Sequence, residues 1–169
     1  MAKVFTVQSQ LSPEFSKKWL VASGTAASIA VGTPTEGADA AAASPWTGDV
    51  NIMADGEGTT SQRFTGIAKS ISTETASAAG EVYTWLPLPG LMYSGFAKTA
   101  STADTQAEVD ALSGKRVVFD LTTGDWTIDA AAADAVVNCV VIVGGDYRTQ
   151  TLNFMYRPSG TCLDFCISA

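Results

Sequence analysis

From residue 81 to residue 157, apolar and polar positions read as short strands joined by glycine turns. The clearest case is GKRVVFDLTTGDWTID, residues 114–129, where Val117, Phe119 and Leu121 alternate with Val118, Asp120 and Thr122. A turn is expected at Thr123-Gly124-Asp125, after which Trp126 and Ile128 resume the alternation. Period-2 alternation around a glycine turn predicts a β-hairpin. A second hairpin is predicted from the apolar run Val136 to Val143, read as a strand buried on both faces. A turn at Gly144-Gly145-Asp146 follows, and then a returning strand with Leu152, Phe154 and Tyr156 on one face. Further strands are expected at Val50–Met53, Arg63–Ile71, Glu81–Leu88 and Leu91–Ala97, with Pro87 and Pro89 marking an edge or bend because proline donates nothing to a ladder.

The period changes once. Between Thr102 and Gly114, Val109 and Leu112 stand three apart among alanines, and Thr105 and Glu108 have the spacing of a capping box. One short helix is predicted there, stopped by Gly114 and covering one end of the strands. Ala130–Asp134 reads as a second helical turn or a loop. Residues 159–169 form a tail in which Leu163, Phe165 and Ile167 are spaced for a last strand.

Residues 1–47 differ. They alternate briefly at Val4–Val7, have a possible helical turn near Pro13–Leu20, and end in the Gly, Pro and Ala-rich GTPTEGADAAAASP. The expected organisation is an N-terminal extended arm and linker, 1–47, followed by a small antiparallel β-barrel with one short α-helix and a tail, 48–169. Lys17-Lys18 ahead of a weakly apolar run to Val31 loosely imitates a targeting signal. Serine, threonine and glycine dilute that run, and no stretch reaches the length of a membrane span, so a strand or arm packed on protein is the plainer reading.

Composition narrows the chemistry. With 46% hydrophobic residues in 169 the chain can bury a core, while only 16% are charged, so much of its surface must be small neutral side chains suited to protein contact. A net charge of −7 with ten scattered Lys and Arg forms no basic stripe, which argues against nucleic acid as a partner. There is no histidine, which excludes a His-containing triad and removes the commonest zinc ligand. The three cysteines lack CxxC spacing. Cys139 is expected as a small buried hydrophobe, and Cys162 and Cys166 as reduced thiols, with pairing to each other or to a neighbour's tail as the alternative. Asp49, Asn51, Asp55 and Glu57 cluster near a turn without the ligand pattern of a calcium loop. The acids of the helix and hairpin (Asp104, Glu108, Asp110, Asp120, Asp125, Asp129) lack the arrangement of a catalytic pair. No enzyme, cofactor or metal is expected.

The succession RFTGIAKS, EVYTWLPLPGLMYSGFAKTA, ADTQAEVDALSGKRVVFDLTTGDWTIDAAAAD and a VVIVGGD run into a final strand resembles the small capsid cement, or decoration, proteins of tailed double-stranded DNA bacteriophages. The resemblance covers roughly residues 50–157. It implies a β-barrel module, made in the host cytoplasm, that binds the outer surface of the assembled head. There it would often sit as a homotrimer and bridge neighbouring subunits of the major capsid protein. Phe5, Phe15, Trp19, Leu20 and Trp46, all in the expected arm, are the candidate anchors on capsid or sister subunit, since binding energy concentrates in a few aromatic and apolar residues. The alternative is a carbohydrate-binding β-module on a virion or cell surface, using exposed Trp85, Trp126 or Tyr93 as stacking platforms.

Overall fold

The structure is a computed structural model that describes residues 5–7, 15–22, 28–37, 49–56, 58, 64–88 and 90–157. Among these residues it is mainly β and antiparallel, with two sheets and one short α-helix. The first sheet contains β1 (Thr6–Val7), β7 (Tyr93–Phe96), β8 (Arg116–Thr122), β9 (Asp125–Asp129), β10 (Val140–Asp146) and β11 (Thr151–Tyr156), in the order β1-β7-β11-β10-β8-β9. The second contains β2 (Ser16–Val21), β3 (Pro34–Gly37), β4 (Val50–Ile52), β5 (Phe64–Ala68) and β6 (Gly80–Trp85), in the order β2-β6-β5-β3-β4.

The ladders of the described residues stay open and do not form the closed barrel expected from the strand pattern. Each sheet nevertheless curls until its far sides touch. In the first, Ala97 just past β7 makes an isolated parallel bridge with Ile128 of β9, and the Lys98 N–H donates to the Ile128 carbonyl at 2.9 Å. In the second, Leu20 of β2 bridges Asp49 beside β4. Both returns run parallel in otherwise antiparallel sheets.

The expected N-terminal arm is not separate from this body. β1 pairs with β7, β2 pairs with β6 along its whole length from Ser16↔Trp85 to Val21↔Gly80, and β3 pairs with both β4 and β5. A boundary at residue 47 therefore cuts through both sheets. The physical reason is visible in β2, where Trp19 and Val21 are buried while Lys18 and Leu20 are exposed, the period-2 signature of a half-buried strand.

The Gly124 hairpin has the expected form. Thr122 opposes Asp125, leaving the two-residue connection Thr123-Gly124 with φ of 52° and 86°, the doubly positive geometry that matches the twist of a tight hairpin. The second hairpin is shifted. β10 begins only at Val140, its burial alternates, and Val136 and Val137 lie in an exposed turn, so this strand is not buried on both faces. Gly144 and Gly145 belong to β10 at a register shift, and the chain reverses instead over Tyr147–Gln150. There Asp146 Oδ1 accepts from the Arg148 N–H at 2.9 Å. The tail 159–169 lies outside the described residues.

The helix α1 (Gln106–Leu112) carries the expected capping box. Thr105 Oγ1 accepts from the Glu108 N–H at 3.3 Å, and Glu108 Oε2 accepts from the Thr105 N–H at 3.0 Å. Val109 is buried in the main core, and the helix packs on β10.

Candidate interaction surface

Two buried clusters decide which predicted anchors remain at the surface. The larger gathers Phe5, Phe64, Tyr93, Phe119, Phe154 and Tyr156 with aliphatic residues of the first sheet, α1 and β5. Its rings touch throughout, with Phe64 stacked on Tyr156 at 4.2 Å between centroids and Phe119 at 5.1 Å from Phe5 and 5.6 Å from Phe154. The smaller cluster is Trp19, Val21, Ile29, Val50, Ala68 and Val82, within the curl of the second sheet. A threonine line crosses the same sheet: Trp19 Nε1 donates to Thr84 Oγ1 at 2.8 Å, Thr84 Oγ1 donates to the Thr65 carbonyl at 3.1 Å, and Thr65 and Thr35 share a hydroxyl bond of 2.8 Å.

Phe5 and Trp19, expected as surface anchors, are thus core residues of the chain itself. Phe5 fills the space above Gly95, where an added Cβ would come within 2.2 Å of its ring. Trp46 lies outside the described residues. Phe15 and Leu20 do stay exposed, but they do not form one site. Leu20 shares its face of β2 with Ser16 and Lys18, whereas Phe15, one residue before the strand, has the parity of Lys17 and Trp19.

What the sheet places beside Leu20 is instead a strip the sequence reading did not single out. Cross-strand partners share a face, so Lys18↔Tyr83 and Leu20↔Glu81 put Leu20 diagonally next to Tyr83. The segment after β5 continues along the far side of β6, with the Lys69 N–H on the Tyr83 carbonyl and the Thr73 N–H on the Glu81 carbonyl. Within it Ser72 turns inward to accept from the Ile29 N–H at 2.7 Å, and the preceding Ile71 is exposed. Leu20, Tyr83 and Ile71 are 53%, 46% and 64% exposed, and Lys18 and Glu81 form an ion pair of 2.8 Å among them. The hydrogen bond that Lys18 donates to Glu81, and the charge of that carboxylate, raise the Lys18 ammonium above its ordinary value and keep it charged. The alternation of Trp19 and Val21 against Lys18 and Leu20 is the signal that could have sorted these residues from sequence.

The best-built polar cluster is structural. Asp120 is buried on β8, where its carboxylate accepts from Lys98 Nζ at 2.6 Å, from Thr127 Oγ1 at 3.3 Å and from the Thr122 hydroxyl. Lys98 also reaches Asp129 at 3.3 Å. Burial by itself raises the Asp120 carboxyl, but the Lys98 and Thr122 hydrogen bonds outweigh it and hold the group below the ordinary carboxylate range. The Asp120 hydrogen bond is the main cause that raises Lys98. Lys98 follows the Ala97–Ile128 bridge directly, so this ion pair clasps the curl of the first sheet. A carboxylate with these partners already in place is poorly disposed to accept a substrate proton.

At α1, the hydrogen bond with Glu108 and then the charge of Glu108 raise Asp104, while hydrogen bonds from Asp104 and Thr105 lower Glu108. Such opposed shifts accompany acid–base pairs, but here the groups are exposed and Glu108 is the capping acid. Among the described residues no group of three or more His, Cys, Asp or Glu could hold a metal ion, and no helix is long and apolar enough to cross a membrane. Cys139 is buried, its thiol donating to the Val137 carbonyl at 3.6 Å, and Cys162 and Cys166 lie outside the described residues. No family model, curated protein or solved structure matches the chain.

Proposed function

We propose that this chain is a capsid decoration protein of a tailed DNA bacteriophage, a β-barrel-like module that binds the outer surface of the head as a homotrimer. In this reading it bridges major capsid protein subunits and is not an enzyme. The observation that carries the proposal is the exposed strip of Leu20, Tyr83 and Ile71. Leu20 and Tyr83 stand on hydrogen-bonded sheet, and Ile71 on the segment bonded along β6, in a chain whose best-built charged cluster is occupied in holding the fold. The resemblance of residues 50–157 to decoration proteins supplies the partner, and the small, weakly charged surface suits a protein lattice better than phosphate or lipid.

The mechanism follows from elementary energetics. A pressurised shell fails where subunits meet, and a protein bound across that junction adds free energy that must be lost before the subunits part. Each contact can be modest because many copies act together and a trimer gains from effective concentration. The carbohydrate alternative loses its platforms: Tyr93 is fully buried with its hydroxyl on the Trp85 and Leu86 carbonyls, Trp126 is buried, and Trp85 packs partly against the main core.

The test uses capsids of the phage that encodes the chain, prepared without it. Added protein is expected to bind them and to raise the temperature at which DNA is released, and a variant with Leu20→Glu and Tyr83→Glu is expected to bind far more weakly while staying folded. Capsids that take up no protein and are equally stable without it would overturn the proposal.

A further inference from the structure

β2 ends the strand order of the second sheet, and the bonds around it show which backbone groups stand on its outer side. Just before β2, the Phe15 carbonyl accepts from the Leu86 N–H at 2.9 Å, so Phe15 bonds toward the chain that forms β6. Backbone groups in an antiparallel strand point alternately to either side, so Lys17, Trp19 and Val21 also bond toward β6. Ser16, Lys18 and Leu20 point away from it. The bridge from Leu20 to Asp49, on the side away from β6, agrees with this parity. Among the described residues nothing pairs with the outward N–H and C=O groups of Ser16 and Lys18.

An open strand edge selects an extended backbone that supplies the matching donors and acceptors. Charge narrows the choice. Lys18 stands on the outer face, and Lys17 on the opposite face, where its ammonium lies 3.9 Å from the centroid of the Trp19 ring. Both lysines are exposed, so a strand laid beside β2 meets positive charge on either face. A second copy of β2 is a poor occupant. Antiparallel pairing of two copies through Ser16 and Lys18 sets Lys18 against Lys18 or Lys17 against Lys17, in molecules that each carry a net charge of −7. Carboxylate side chains on the added strand complement both lysines instead. The edge is also continuous with the exposed strip, because Leu20 and Tyr83 share the face of Lys18.

We infer that the outer edge of β2 is a strand-addition site for an extended, carboxylate-bearing segment of another protein. The identity of that protein, a capsid subunit, rests on the proposed function. Capsids prepared without the chain are mixed with the natural protein, Lys18→Ala, Lys18→Pro and Lys18→Glu. The Lys18 N–H points away from β6, so proline there removes the outward donor and leaves the β2–β6 ladder in place, which protection of the β6 amides verifies. Lys18→Pro is expected to bind about tenfold more weakly than Lys18→Ala, and Lys18→Glu is also expected to bind more weakly than Lys18→Ala. In the natural protein, capsid binding is expected to slow hydrogen exchange of the Ser16 and Lys18 amides about tenfold or more. If the natural protein binds with those amides still exchanging as in the free chain, or folded Lys18→Pro binds as tightly as Lys18→Ala, the edge assignment is overturned and the proposed function stands. Lys18→Glu binding as tightly as Lys18→Ala overturns the carboxylate-bearing occupant. If the natural protein does not bind capsids at all, the proposed function and this inference fall together.

Discussion

The two sheets curl by the same device, an isolated parallel bridge from one side of the sheet to the other, yet they are filled differently. Among the described residues the first encloses an aromatic cluster whose rings contact one another at 4.2–6.2 Å, while the second encloses one tryptophan, five smaller apolar residues and a line of threonines. Ring-to-ring packing removes far more apolar area from water than the small cluster does, and burial of that area is the dominant favourable term in folding. The first sheet therefore carries most of the stability. The second is a thinner wall that depends on hydrogen-bond direction and close backbone approach, and its outer face carries the exposed strip.

The largest test of this contrast is Phe119→Ala. Phe119 is fully buried among Phe5, Phe64, Phe154 and Tyr156, so truncation is expected to cost about 3–5 kcal/mol in chemical denaturation. Both sheets should unfold together, because Phe64 of β5 belongs to the same cluster. Separate loss of the first sheet would break the comparison.

Gly66→Ala strikes the second sheet at its tightest point. Gly66 has φ of 135°, and a Cβ there would come within 2.0 Å of the Trp85 carbonyl oxygen across the β5–β6 ladder. Backbone strain of about 1–3 kcal/mol is expected, and relief of the clash must part the two strands. Faster amide exchange in β5 and β6, with β8 and β9 unchanged, would sharpen the contrast.

Trp19→Phe keeps most of the ring and deletes the Nε1–H that binds Thr84. A loss of about 1 kcal/mol is expected, because a buried hydroxyl then lacks one partner. If the threonine line contributes nothing, the variant will match the natural protein in the same denaturation experiment.

The smallest effect is on pH. Asp120 is held below its ordinary value of 3.8, so its contribution is present above that pH and lost as pH falls through the lower, folded value. Lys98 is raised above 10.5, so its contribution is complete below that pH and lost as pH rises through the higher, folded value. Between those limits the clasp is intact. Asp120→Asn should flatten the acid side of the stability profile, read by Trp126 fluorescence in the first sheet.

Legibility from sequence followed locality. The capping box at Thr105 and Glu108 and the Thr123-Gly124 turn were readable because each is decided within a few residues. Strand ends were less so: the run from Val136 to Val143 is continuous in sequence, but Asn138, bonded to the Arg116 and Ala133 carbonyls, keeps Val136 and Val137 out of the strand. The candidate surface was read only in part. Leu20 is a candidate as an apolar residue of the expected arm, and Tyr83 joins it through a pairing of β2 with β6 that spans about sixty residues.

By itself the sequence determined that the chain is mainly β with one capped helix, where its tight hairpin turns, and that no histidine chemistry is available to it, because these depend on composition and near-neighbour geometry. Only the tertiary structure decided that the first 47 residues supply strands to both sheets, that Phe5 and Trp19 lie inside, and which apolar side chains are left outside. Burial is a property of what packs across a strand, and strand partners are chosen by long-range pairing that a linear pattern does not specify.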